Sequence, residues 1–159
     1  MRSVARHLGV APNALYSYVG NKAALIDAVL DDLLAAVPSP TSGIEARVGL
    51  SQVMIASYEV LVEHAPLVPL VVARRGARGL NAWRLGDAMA ELLASAGLDP
   101  SAAEQARHAL IVYTIGSAAY AIAPTSPDGP SITPEGDRTR AAFESGLKWL
   151  LVGMLERRP

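Results

Sequence analysis

No cysteine occurs among the 159 residues, which excludes disulfide frameworks, thiolate-held zinc and cysteine nucleophiles. Aromatic residues make up only 5% and charged residues 18%, the latter below the usual share of about 25%. Alanine and leucine dominate instead, a mixture that favours helices and argues against an all-β sandwich. Long hydrophobic runs are absent too. The longest uncharged helix-like stretch, Ala109 to Ala123, falls short of the ~20 residues of a membrane span and contains Thr114, Gly116 and Ser117, so it reads as a buried helix. The start, Met1-Arg-Ser-Val-Ala-Arg-His, carries no apolar secretory segment. A cytoplasmic protein with no membrane partner is expected.

Enzyme signatures are missing as well. There is no Gly-x-Ser-x-Gly elbow, no glycine-rich phosphate loop ending in Gly-Lys and no His-Glu-x-x-His, so the chain reads as not an enzyme. His7, His64 and His108 stand far apart without a carboxylate at ligand spacing, and neither a metal nor another cofactor is expected. A net charge of -1 argues against a wholly basic nucleic-acid coat but is silent on a local binding face.

What the chain does have is 51% apolar residues, more than a single domain of this size hides easily, so a partner is expected. Glycine and proline divide it into helical pieces. Val37-Pro-Ser-Pro-Thr-Ser-Gly43 separates an N-terminal unit, 1–36, from a C-terminal domain, 44–159. In the latter, apolar residues at intervals of three and four predict a helix from Ile44 to Ala65, stopped by Pro66, and a short apolar piece over Leu67 to Ala73. A further helix should run from Leu80 to Ala96 with Gly97 as its C-terminal stop, followed by one capped by Asp99 or Ser101 that reaches about Ala123. That helix is apolar almost all round, which predicts a central position. Pro124 to Pro134 reads as an exposed, mobile loop, and a last helix spans Glu135 to Arg157, with Arg157 and Arg158 favouring its C-terminal dipole end. The fold class is all-α.

The N-terminal unit has the spacing of a helix-turn-helix. Val4, Ala5 and Leu8 fall on the inner face of one short helix, Leu15 and Val19 on that of a second, and Gly9 supplies the positive φ of the tight turn. Small Ala5 permits close approach, and Pro12 suits the first turn of the second helix. Asn13, Ala14, Ser17 and Tyr18 then point outward. Asn13 can pair with adenine; Tyr16, Ser17 and Tyr18 can bond phosphate oxygens; Lys22 can neutralise a phosphate, with Arg2 on the same edge. The spacing alone also suits an ordinary helical hairpin.

Leu8-Gly-Val-Ala-Pro-Asn-Ala-Leu-Tyr-Ser-Tyr-Val-Gly-Asn-Lys-Ala-Ala-Leu-Ile-Asp-Ala-Val resembles the signature of TetR (tetracycline-repressor-like) transcriptional regulators, and Phe143-Glu-Ser-Gly-Leu-Lys-Trp-Leu-Leu-Val-Gly resembles their last helix. The resemblance implies an all-helical homodimer that represses promoters and releases DNA when a small molecule enters the C-terminal domain. By position, Arg2, Pro12, Asn13, Ala14, Tyr16, Ser17, Tyr18 and Lys22 match the family's DNA-facing sites. Members carry a further helix ahead of this point, so the chain is expected to begin inside the second helix, leaving Val4, Leu8 and Leu15 short of cover. Within 1–36, Arg2, Arg6 and Lys22 cancel against Asp27, Asp31 and Asp32, which weakens the electrostatic drive towards DNA.

Dimerisation is also expected from surface excess. The helix from Ser101 to Ala123 and the last helix should form an isologous four-helix interface through Tyr113, Gly116, Ala119, Tyr120, Phe143, Gly146, Leu147, Leu150, Gly153 and Met154. Such a dimer sets two recognition helices about 34–36 Å apart, the repeat of a palindromic double-stranded operator. Met54, Tyr58, Leu61, Trp83, Met89, His108, Ile111, Val112 and Ile115 are candidates to line a pocket for a hydrophobic or aromatic inducer, although each also suits plain core. Arg74, Arg75, Arg78 and Arg84 form the only basic cluster, read as a solvated loop with attraction of an anion as the alternative. The rival account is a helical dimeric module that binds a small molecule or protein without DNA.

Overall fold

The computed structural model describes residues 1–123 and 137–156. Among them the backbone forms eight α-helices, one 3₁₀ turn at Ala65–Leu67, and no strand. The proline-rich segment 124–134, the predicted start of the last helix at Glu135, and Arg157 and Arg158 lie outside the described residues. α1 (Arg2–His7) and α2 (Pro12–Tyr18) form a short pair, and α3 (Lys22–Ala35) leads from them into a bundle. The bundle comprises α4 (Ala46–Glu63), α5 (Val68–Arg74), α6 (Leu80–Ser95), α7 (Pro100–Ala121) and α8 (Asp137–Leu155).

Helix ends follow local chemistry. Glu45 caps α4 by accepting from the amides of Arg47 and Val48 at 3.0 and 3.1 Å. α4 stops before Pro66, and His64 Nδ1 is 2.9 Å from the Val60 carbonyl there. Of the two candidates for the cap of α7, Asp99 serves: its Oδ1 accepts from Ser101 and Ala102 at 2.9 and 3.0 Å, with Pro100 in the first turn. Gly97, with φ 89, turns the chain out of α6 while the Leu98 amide reaches back to Leu93 O at 3.2 Å.

α7 is the axis of the bundle and packs against α4, α5, α6 and α8. Leu110 and Ala118 are 0% exposed and Thr114 2%. Cover is not complete, however: Val112 and Tyr120 are 55% and 69% exposed, so one face of α7 lies open in the single chain. Leu30, Leu33 and Val37 join the same core as the buried residues of α4–α8, so segment 37–43 interrupts the helices without separating two cores.

An aromatic stack ties α8 to its neighbours. The Phe143 ring lies between Tyr58 of α4, with centroids 4.3 Å apart, and Tyr113 of α7, at 5.4 Å. Tyr113 also donates its hydroxyl to the Phe143 carbonyl at 3.1 Å. A Cβ at Gly146 would run into the Tyr113 hydroxyl, so a glycine is needed for that approach. Of the residues expected at the interface, Phe143 and Leu147 are buried inside the subunit, and half-buried Tyr113 and Gly146 meet each other there, because α8 packs an apolar face against α4 and α7. Burial pushes the Tyr58 phenol above its ordinary range, with Arg140 opposing.

Truncation of Phe143→Ala should cost about 3–5 kcal/mol, the usual penalty for deleting a buried aromatic ring. Chemical unfolding followed by circular dichroism measures it; a change below about 1 kcal/mol would remove the stack from the bundle's main supports.

Candidate functional site

The first part of the site is the α1–α2 head. Ala5 is 0% exposed where the helices meet, and Gly9 adopts φ 68 in the turn. The turn closes with Gly9 N donating to Arg6 O at 3.2 Å and Val10 N to Ala5 O at 3.0 Å. Asn21 then caps α3 through the Ala24 amide at 2.9 Å, which places Lys22 in the first turn of that helix. Arg2, Asn13, Ala14, Tyr16, Tyr18 and Lys22 are all exposed, Tyr18 by 88%. The side chains of Pro12, Leu15 and Ser17 lie outside the described ones. Val4, Leu8 and Val10 leave an apolar strip on the head, at 37%, 58% and 42% exposed.

Second comes a partly enclosed cavity of about 180 Å³ in the bundle. Its walls are Leu30, Leu33 and Leu34 of α3, Val53, Met54, Ser57 and Leu61 of α4, and Ala82, Leu85, Gly86 and Met89 of α6. Val71 of α5, Ile111, Thr114 and Ile115 of α7, and the turn residues Arg75, Gly76 and Ala77 complete it. Of the expected lining, Met54, Leu61, Met89, Ile111 and Ile115 meet here. Four others do not. Tyr58 is spent on the stack with Phe143, and Trp83 stands 65% exposed on the outer side of α6. His108 and Val112 instead border an open groove on the far side of α7, shared with Val71, Arg75, Ile111 and Ile115 and continuing past Gly116, Ala119 and Tyr120. The α3 leucines and Thr114 were missed because a helix's apolar periodicity gives its inner face but not which neighbour that face meets.

Third, polar ties lock α3 to the segment between α5 and α6. Arg74 donates Nε to Asp27 Oδ1 at 2.8 Å and Nη2 to Oδ2 at 2.5 Å. Those hydrogen bonds hold the Asp27 carboxyl below the usual range and raise Arg74 above its own. Four residues further along α3, the Asp31 carboxylate accepts from the Ala82 amide at 2.9 Å and from Asn81, backbone and side chain, at 3.2 Å. It thus caps α6, whose own N-cap is Gly79 with no side chain to do so. Gly79 has φ 144, and a Cβ there would collide with the Asp31 carboxylate. Arg84 closes the far end of α3, donating to Val37 O at 2.9 Å, Leu34 O at 3.2 Å and Ser39 Oγ at 2.6 Å. The basic cluster is therefore largely a docking device for α3, which its reading as a solvated loop did not foresee.

At the interface side, Tyr120 is exposed, and Gly116 and Ala119 are half-buried beside it. Leu150 and Met154 are half-buried along a second groove with Gly153 and Trp149, the latter 75% exposed. Trp149 escaped the sequence reading because it lies off the inner stripe of α8. Among the described residues no single helix is long and apolar enough to cross a membrane.

No family model and no curated protein matches the chain. Solved structures do. A TetR variant from Acinetobacter baumannii AYE, in complex with minocycline, superposes with a TM-score of 0.79 at 25% identity, covering 98% of this chain and 84% of that one. The chain has the TetR-family fold. The Streptomyces coelicolor TetR family protein ActR, in complex with actinorhodin, is similar at TM-score 0.76 and 21% identity over 98% of this chain and 86% of its own. BioQ, known from Mycobacterium smegmatis and here with its double-stranded DNA operator, gives 0.72 and 23% over 98% and 85%. Within that fold α1 and α2 form a helix pair joined by the Gly9 turn, α3 leads from it, and α4–α8 make up the bundle.

The Asp27–Arg74 tie should be visible in pH dependence. Because the folded-state pKa of Asp27 lies below its ordinary value of 3.8, its contribution is present above that value and is lost as pH falls through the folded pKa. Wild-type protein should therefore exceed Asp27→Asn in Tm at about pH 6, with the gap closing towards about pH 3. A gap that stays constant with pH would show that the carboxylate charge contributes nothing to the tie.

Proposed function

We propose that this protein is a cytoplasmic, homodimeric transcriptional regulator that binds a palindromic double-stranded operator and is released from it by a small hydrophobic or aromatic inducer, acting as a repressor. The observation that carries the reading is the double role of α3. Its first turn holds Asn21 and Lys22 beside the recognition helix α2, while Leu30, Leu33 and Leu34 form one wall of the cavity. Nothing placed in that cavity leaves α3 indifferent, and α3 carries the head. The complexes of similar proteins with minocycline, with actinorhodin and with an operator support the same assignment.

On this reading Asn13 and Ala14 face base edges, with Arg2, Tyr16, Tyr18 and Lys22 on the backbone, and Pro12 and Ser17 completing the set. The charge balance of the head is more favourable than a residue count implies. Asp27 is neutralised by Arg74, so Arg2, Arg6 and Lys22 are opposed by Asp31, whose carboxylate caps α6, and by Asp32. The inducer site comprises Met54, Leu61, Met89, Ile111 and Ile115 with the α3 leucines. The second copy is assigned to the open face of α7 around Val112, Gly116 and Tyr120, together with Trp149 of α8.

Fluorescence anisotropy against duplexes selected from a random pool tests the DNA claim. Specific binding should weaken steeply with salt, and Lys22→Ala should reduce the log–log salt slope by about 1. Asn13→Ala should lose about 1–3 kcal/mol of sequence discrimination. Salt-insensitive or unselective binding would leave the ligand- or protein-binding module as the account.

The dimer has its own check by sedimentation velocity. Tyr120→Glu and Trp149→Glu should each shift the protein from dimer to monomer at micromolar concentration; a wild-type monomer would rule out the two-headed reading.

A further inference from the structure

Resting on the reading of the cavity as the inducer site, we propose that its ligand is an organic acid: an apolar body of about one ring with a carboxylate or similar acidic group that pairs with Arg75. Among the described residues Arg75 is the only charged side chain lining the cavity, and the other polar members are the hydroxyls of Ser57 and Thr114. Ser57 donates to Val53 O at 2.7 Å and Thr114 points at the Met54 sulfur at 3.4 Å, so the interior offers no strong donor to an anion. Arg75 alone supplies one.

The neighbouring arginines are occupied. Arg74 pairs with Asp27, Arg78 donates to Arg74 O at 2.7 Å, and Arg84 holds the end of α3. Arg75 has no carboxylate partner among the described residues. It lines both the cavity and the groove along α7, and its side chain is exposed. Its backbone has φ 56 and ψ 50, the left-handed conformation that ends α5, with Gly76 N donating to Val71 O at 2.9 Å. Glycine is the residue that fits such a stop without cost, whereas arginine there costs of order 1 kcal/mol. A cation that lines an apolar cavity, with no carboxylate partner among the described residues, has the chemistry of a ligand-binding group.

Size follows from volume. A dry cavity of about 150 Å³ holds benzene, so one of about 180 Å³ takes a single ring with a short chain that leads its acid to the rim. Binding there also acts on the reading head, because Arg75 adjoins Arg74, whose partner is Asp27 on α3.

Isothermal titration with phenylpropionate and with its neutral isostere phenylpropionamide tests the assignment. Wild-type protein should bind the acid about tenfold or more tightly than the amide, and this preference should shrink with added salt. Arg75→Gly, which suits the left-handed backbone, should abolish the preference by weakening the acid towards the affinity of the amide. Arg75→Lys should retain part of it, and Arg78→Gln all of it. Equal binding of acid and amide, an undiminished preference in Arg75→Gly, or no binding of either would overturn the proposal. Operator binding measured on the same variants separates the two readings. In the wild-type protein, equal binding of acid and amide with DNA binding intact removes the ligand class alone, whereas absent DNA binding with the acid preference present removes the regulator and leaves the acid site standing.

Discussion

Asp31 ends a helix to which it does not belong. The N-terminus of α6 presents unpaired amides at Asn81 and Ala82, Gly79 has no side chain to meet them, and the carboxylate that does so comes from the middle of α3. Removing it would leave donors unsatisfied at a half-buried position and free α3 from α6 at once. A side chain at Gly79 could not share the site with Asp31, since even a methyl group there would occupy the carboxylate's place. The cavity depends on this contact, because its α3 wall stands opposite its α6 wall and both are held at that distance by Asp31 at one end and Arg84 at the other.

Such an arrangement divides labour between apolar and polar contacts. Leu30 and Leu33, at 0% and 7% exposed, contribute the bulk of the docking free energy, about 1.5–3 kcal/mol for each buried leucine. Apolar contacts alone would tolerate sliding of α3 by a fraction of a turn. The Asp27–Arg74 fork and the Asp31 cap do not, because paired hydrogen bonds lose alignment within a few tenths of an ångström. The ties therefore set the register of α3, and with it the position of the head.

The helices and their ends were legible from the chain because their causes are local. Asp99, Gly97 and Pro66 each act within a few residues, and Gly9 with Ala5 marks the crossing in the head for the same reason. The cavity was half legible. Met54, Leu61, Met89, Ile111 and Ile115 recur on inner faces, but Tyr58 recurs just as well and is taken up by Phe143, which lies far along the chain. Trp83 was chosen for its chemistry, although its position on α6 turns it to solvent. Least legible were the arginines. Four in eleven positions read as a solvated loop, and what distinguishes them is partners 45 to 51 residues away for Arg84, Arg74 and the Asp31-capped turn. No periodicity encodes such pairs.

A small molecule can move α3 only through a difference in free energy between its contacts in two arrangements of the helix. The walls of the cavity narrow where that difference can arise. The α4 and α7 sides are tied together through the aromatic stack and the buried residues of α7. The remaining side is the turn from Arg74 to Gly79, which is short, carries positive φ at Arg75, Gly76 and Gly79, and is tied to α3 by hydrogen bonds from Arg74 to Asp27. Displacing that turn moves Arg74 and the first amides of α6 together, and the carboxylates of Asp27 and Asp31 must follow or break. Either response changes the lever on which the head is mounted, so the polar ties that set the register of α3 are also the means by which it can be reset.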